Sequence, residues 1–156
     1  MTERREDKID HPEQVKGLLN QILNGEEMAV EAYDHYLDQL ETESTIELLE
    51  QFKQDHEEHI QQLSTRIKEL NGEPDDDSAL GKVVSKTMME IGDLLGTPSE
   101  GEIVDKIYEG EDKGINQVEE QLQEKLDAES QQLVDQILAT DKKHLEQLKE
   151  TENSNN

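Results

Sequence analysis

Four stretches of this chain repeat apolar residues at alternating steps of three and four, and each sets an ionisable residue inside its apolar stripe. An ionisable group on a buried helical face loses its water and must be compensated by a partner. This pattern therefore constrains both how the helices pack and what they enclose. In the run Leu133 to Leu148 the apolar positions are Leu133, Val134, Ile137, Leu138, Leu145 and Leu148, and Asp141 and His144 fall on the same side.

The first stripe reads Val15, Leu19, Ile22, Glu26, Ala29, Tyr33, Tyr36, Leu40, with Pro12 suited to a first-turn position and Glu26 as the one ionisable group. Glu43-Ser44-Thr45 is the expected turn into a second helix over about 45–71, whose stripe is Leu49, Phe52, His56, His59, Leu63, Ile67, Leu70. Asp55 lies on its flank and reaches inward after a small rotation, and Asn71-Gly72 is a plausible C-cap. A polar linker, Glu73 to Ser78, leads to a short amphipathic helix over about 79–95. The break Gly96-Thr97-Pro98-Ser99 precedes a third long helix over about 100–125, with Val104, Ile107 or Tyr108, Glu111, Gly114 or Ile115, Val118 and Leu122 on one face. The fourth spans about 128–150.

Short links make each consecutive pair of long helices an antiparallel hairpin, and the long middle connection permits a crossover. The expectation is an all-α, four-helix bundle of up-down-down-up topology with an extra short helix in the crossover. Residues 1–12 would be a flexible lead-in, 13–150 the bundle and 151–156 a flexible polar tail.

Forty acidic against fifteen basic residues give a net charge of -25. Such a surface disfavours nucleic acid and anionic membrane, and it suits work in high salt, where self-repulsion is screened. There is no Cys, which excludes disulfides and thiolate chemistry. No apolar run approaches the ~20 residues that span a bilayer, and the charged N-terminus lacks a signal-peptide core. The cytoplasm is the expected compartment. The helix over 79–95, with no ionisable group on its apolar face, either covers the bundle or forms a homodimer face.

The inward candidates are Glu26, His56, His59, Glu111, Asp141 and His144, with Asp55 in reserve. Carboxylates gathered in low dielectric repel one another, and divalent cations reverse the sign of that argument. Carboxylate and imidazole donors suit iron, manganese or zinc. The competing explanation is a metal-free core in which His56 and His59 are satisfied by internal hydrogen bonds and Asp141 pairs with His144. His11 and His35 are expected on the surface.

Three segments carry a resemblance. Gly25-Glu26 followed by Tyr33 looks like the first helix of rubrerythrin-type, ferritin-like proteins, where a ligand Glu follows a small residue and an aromatic lies seven positions on. Asp141-Lys142-Lys143-His144 is similar to the E-x-x-H of their last helix, and Glu111 matches the first acid of their third-helix E-x-x-E. The chain departs from the pattern at His56, where an acid is expected, and at Gly114, the place of the second third-helix acid. With its long crossover it also resembles small bacterial proteins of the DUF2383 kind. The resemblance implies a di-iron or di-manganese site and iron handling or peroxide and oxygen chemistry, as of a ferroxidase- or peroxidase-like oxidoreductase. The alternative is a metal-free structural or stress-related protein with a degenerate site.

Overall fold

The computed structural model describes residues 11–74, 98–122 and 125–154. The described residues form four α-helices and no strand: α1 (Pro12–Leu37), α2 (Glu43–Glu69), α3 (Glu100–Leu122) and α4 (Ala128–Ser154). The short helix expected over 79–95 lies outside the described residues. None of the described helices is long and apolar enough to cross a membrane.

Helix α1 packs against α2 and α3, and α4 packs against α3 and α2. The apolar stripes meet in two clusters. One joins Val15, Leu19 and Leu23 of α1 to Leu63 and Ile67 of α2 and Val134 and Ile137 of α4, with Val118 of α3 against it. The other joins Tyr33 and Tyr36 to Leu49, Phe52, Ile103, Ile107 and Leu148. Burying one such side chain contributes ~1.5–3 kcal/mol, so the clusters hold the helices in rotation. Between them, on every helix, lie the polar positions: Glu26, then His56 and His59, then Glu111, then Asp141 and His144.

Local signals set the helix ends. Ser99 and Glu102 form a capping box at the start of α3: Glu102 N donates to Ser99 Oγ at 3.2 Å, and Ser99 N donates to Glu102 Oε1 at 3.2 Å. Helix α2 starts at Glu43, so Glu43-Ser44-Thr45 is its first turn and not the link before it. The reason is long-range. Glu100 Oε2 accepts from Glu41 N, Thr42 N and Thr42 Oγ1 at 3.0, 2.9 and 3.0 Å, fixing the preceding residues as the loop. At the other end of α2, Asn71 takes the left-handed conformation (φ 63) and Gly72 N donates to Ile67 O at 2.9 Å. A Cβ on Gly72 would come within 2.9 Å of Lys16 Cδ and 3.0 Å of Ile67 Cγ2, so a larger residue there has to push the Lys16 side chain aside and crowd Ile67.

Arg66 ties the same end of α2 to the start of α4. Its Nη2 donates to Asp127 Oδ2 at 2.6 Å, its Nε to Ser130 Oγ at 3.0 Å, and it also pairs with Glu129. Asp127 Oδ2 in turn accepts from Ser130 N at 3.2 Å, capping α4. Helix α4 runs to Ser154, with Thr151 Oγ1 donating to Gln147 O at 3.0 Å.

Candidate metal centre

All six predicted side chains point inward and are at most 9% exposed. They meet in one layer and form two overlapping groups: Glu26, His56, His59 and Asp141, and His56, Glu111, Asp141 and His144. Within each group the potential ligand atoms lie within 4.8 Å of one another. Two ligands of one ion at metal–ligand bonds of ~2.0–2.2 Å are at most ~4.4 Å apart, so both groups are of the size that closes on a cation, with the imidazole–carboxylate pairs now hydrogen-bonded at 2.6–3.0 Å opening to admit it. The side chains can hold a metal ion. His11 is exposed and His35 half-buried, and neither joins the layer.

His56 is the hub. Its Nδ1 lies 2.9 Å from Glu26 Oε1 and its Nε2 3.0 Å from Glu111 Oε2. His59 Nδ1 reaches Glu26 Oε1 at 2.6 Å, and His144 Nδ1 reaches Glu111 Oε2 at 2.9 Å. Both acids are therefore bonded to imidazoles from helices other than their own.

Asp141 is the exception. Its Oδ1 is buried without a hydrogen-bond partner, 3.9, 3.8 and 3.8 Å from the Nδ1 atoms of His56, His59 and His144. These gaps are too long for hydrogen bonds. The pairing of Asp141 with His144 that a metal-free core would use is thus a contact at ion-pair range without a hydrogen bond. A carboxyl oxygen buried without a hydrogen bond beside three imidazole nitrogens leaves a buried polar group unsatisfied, and a cation among those four atoms would satisfy it.

Sequence reasoning missed how the surrounding residues brace the layer. Tyr33 Oη donates to Glu111 Oε2 at 2.6 Å, and its ring stacks on His56 with centroids 5.6 Å apart. The available signal was its position two turns after Glu26 on the same face. Asp55 does not replace a missing inward acid. Its Oδ2 sits 2.8 Å from His144 Nε2, on the far side of the ring from Glu111. A carboxylate there fixes the ring and directs Nδ1 inward, as acids behind metal-binding histidines do. Phe52 stacks on the same ring at 4.0 Å. Gly114 is exposed, and a Cβ there would meet nothing within 4 Å.

The electrostatics follow from the pairing. Burial opposes ionisation of Glu26 and Glu111, but His56 with His59 on one side and His56 with His144 on the other hold both carboxyls below their usual range. Burial equally opposes charge on His56, and Glu26 and Glu111 outweigh it, holding its pKa well above the ordinary value. Burial raises Asp141, joined by the charges of Glu26 and Glu111 and opposed by His56, to about 9. Without metal, at neutral pH, Asp141 is protonated and His56 is the cation between two anions.

The family described as Domain of unknown function (DUF2383) matches residues 14–124, well over half of the chain. The chain belongs to the DUF2383 family. No curated protein and no solved structure matches it. In this DUF2383 protein, Glu26, His56, His59 and Glu111 fall inside the matched span, while Asp141 and His144 lie beyond it on α4.

A pH dependence of the metal-free DUF2383 protein follows. Asp141 has a folded pKa raised from 3.8 to about 9, so its burial costs nothing below about pH 4 and progressively more as pH rises toward 9. His56, also raised, contributes stability that is present below its ordinary 6.5 and lost as pH climbs through its folded value. Both act in one direction. Urea midpoints of metal-free protein are expected to fall from pH 6 to pH 9.

Proposed function

We propose that this protein is a ferritin-like metal-binding protein of up-down-down-up topology, with two adjacent divalent-cation positions at mid-bundle. The topology is supported by the pairing of helix halves in the two apolar clusters, in which the first halves of α1 and α4 share one end with the second half of α2. The observation that carries the metal reading is Asp141 Oδ1, unsatisfied among three imidazoles. Glu26, His59 and Asp141 would hold one cation, and Glu111, His144 and Asp141 the other. A neutral imidazole has one free lone pair, so His56 ligates one position while its other nitrogen bonds the opposite acid. Tyr33 and Asp55 orient Glu111 and His144 without touching metal.

The ligand set of acids and imidazoles suits iron or manganese, with zinc less favoured for a redox role. Bound iron or manganese supplies one-electron chemistry toward dioxygen or peroxide, which gives iron handling or peroxide defence as the role. The protein's own part is to hold the cations apart from bulk water and to exchange protons, since Asp141 must lose its proton to ligate.

Titration with Mn2+ or anaerobic Fe2+ under thermal unfolding tests this. A cation at 100 times its Kd stabilises by ~2.7 kcal/mol, so Tm is expected to rise by ~5–10 °C and to return with chelator. The rise is expected to be larger at pH 8 than at pH 6, because proton loss precedes ligation. No binding by an intact fold would overturn the proposal.

A second reading keeps the bundle without metal, as a structural or stress-related protein. The hydrogen bonds of His56 and His59 to Glu26 favour it, because they satisfy those groups internally. It requires a Tm indifferent to cation and chelator alike.

A further inference from the structure

We infer that the groove between α1 and α3 at Gly25 and Gly114 is the port through which divalent cations reach the buried carboxylates. The inference rests on the metal-binding reading and adds the route. A cavity of about 150 Å³ runs from this groove into the bundle. Gly25 and Gly114 in its lining are exposed, as are Gln21 and Gln117 beside them, while Glu26 and Asp141, also in its lining, are buried, so these exposed residues mark its solvent side. Its walls include Ile22 and Ile115. Asp141 is the residue whose Oδ1 lacks a partner, so the cavity leads from solvent to the candidate ligand atom that is left without a hydrogen bond.

Helix packing does not require either glycine. A Cβ at each would meet nothing within 4 Å. Each costs its helix ~1 kcal/mol relative to alanine. What the missing side chains do at these two places is leave the mouth open. Gly17 is equally exposed and equally free of neighbours, but it lines no part of the cavity, which makes it the control. The strongly acidic surface draws cations toward the protein, and an uncharged port lets them pass without trapping them at the rim.

The test uses Mn2+ alone, added to the full chain, with association followed by stopped-flow tyrosine fluorescence and affinity by calorimetry. Gly25→Leu/Gly114→Leu is expected to slow association by about tenfold or more, which a barrier only about 1.4 kcal/mol higher produces. Affinity is expected to stay within about threefold, because the ligands are untouched and a blocked route slows release as well as binding. Gly25→Ala/Gly114→Ala gives a smaller slowing in a helix at least as stable, which keeps the test valid if the leucine variant folds poorly. Gly17→Leu should bind at the parent rate. Unchanged association in the double variants, with binding intact, overturns the port and leaves the metal reading standing. Loss of affinity in a folded alanine variant also overturns it, since the glycines would then shape the site itself. Failure of the parent to bind Mn2+ overturns the metal reading, and the port with it.

Discussion

His56→Leu is expected to lower the stability of the metal-free protein by ~3–5 kcal/mol, the loss seen when one partner of a buried ion pair is removed. For a chain of this length that is a Tm drop of ~10 °C or more. The size comes from the hub geometry. One imidazolium, 1% exposed, bonds Glu26 through Nδ1 and Glu111 through Nε2, so its loss leaves two buried acids without their shared cation. Leucine fills nearly the same volume, so a cavity does not explain the loss. Glu26 and Glu111 owe their lowered pKa values to His56 first among their partners. The stability that this ionisation contributes is present above the ordinary carboxylate value of 4.5 and lost as pH falls. The penalty of His56→Leu should therefore shrink in acid, where the orphaned acids take up protons. Urea denaturation at pH 7 and pH 4 measures both effects. A penalty that does not change with pH would mean that packing, not charge, is lost.

Asp141→Asn is expected to do the reverse: little to the metal-free fold and much to metal binding. At neutral pH the metal-free carboxyl carries its proton, with a pKa of about 9, and an amide is its near copy in shape and charge. Tm without metal should hold within ~2 °C, a few tenths to 1 kcal/mol for this size. Removing a group that only orients a metal ligand weakens binding ~10- to 100-fold. Asp141 is offered here as a ligand of both cations, so a loss of ~100-fold or more in Mn2+ affinity is the expected calorimetric result. The affinity separates the two readings of the layer, and the unchanged Tm shows that a loss of affinity is not a loss of fold. In a core built without metal, Asn would change stability equally little, and there would be no affinity to lose.

Much of this arrangement was legible in the sequence because helical period converts spacing into direction. The steps from Val15 through Glu26 to Tyr36 put Glu26 on the side of its apolar neighbours, and the same reasoning turned His56, His59, Glu111, Asp141 and His144 inward. It also left open Ile107 against Tyr108 and Gly114 against Ile115, positions that straddle a stripe; the fold buries Ile107 and Ile115. Pairings between helices were not legible. Tyr33 meets Glu111 across 78 residues and His144 meets Asp55 across 89, and a rotation of one helix by a fraction of a turn would give each a different partner. The start of α2 is hidden from the sequence for a related reason. Thr42 and Glu41 are held by Glu100, a residue 58 and 59 positions away that no local signal connects to them. The family match stops before α4, so Asp141, which completes both groups, and His144, which completes one, rest on the period of their own helix and on the geometry of the layer.

The most direct test is a crystal of protein soaked in Mn2+, with anomalous scattering recorded near the manganese edge. The expected result is an anomalous peak inside the bundle within ~2.0–2.5 Å of an Asp141 oxygen, flanked by Glu26 and His59, by Glu111 and His144, or by both. A well-ordered bundle with those side chains in place and manganese only on its acidic exterior would contradict it.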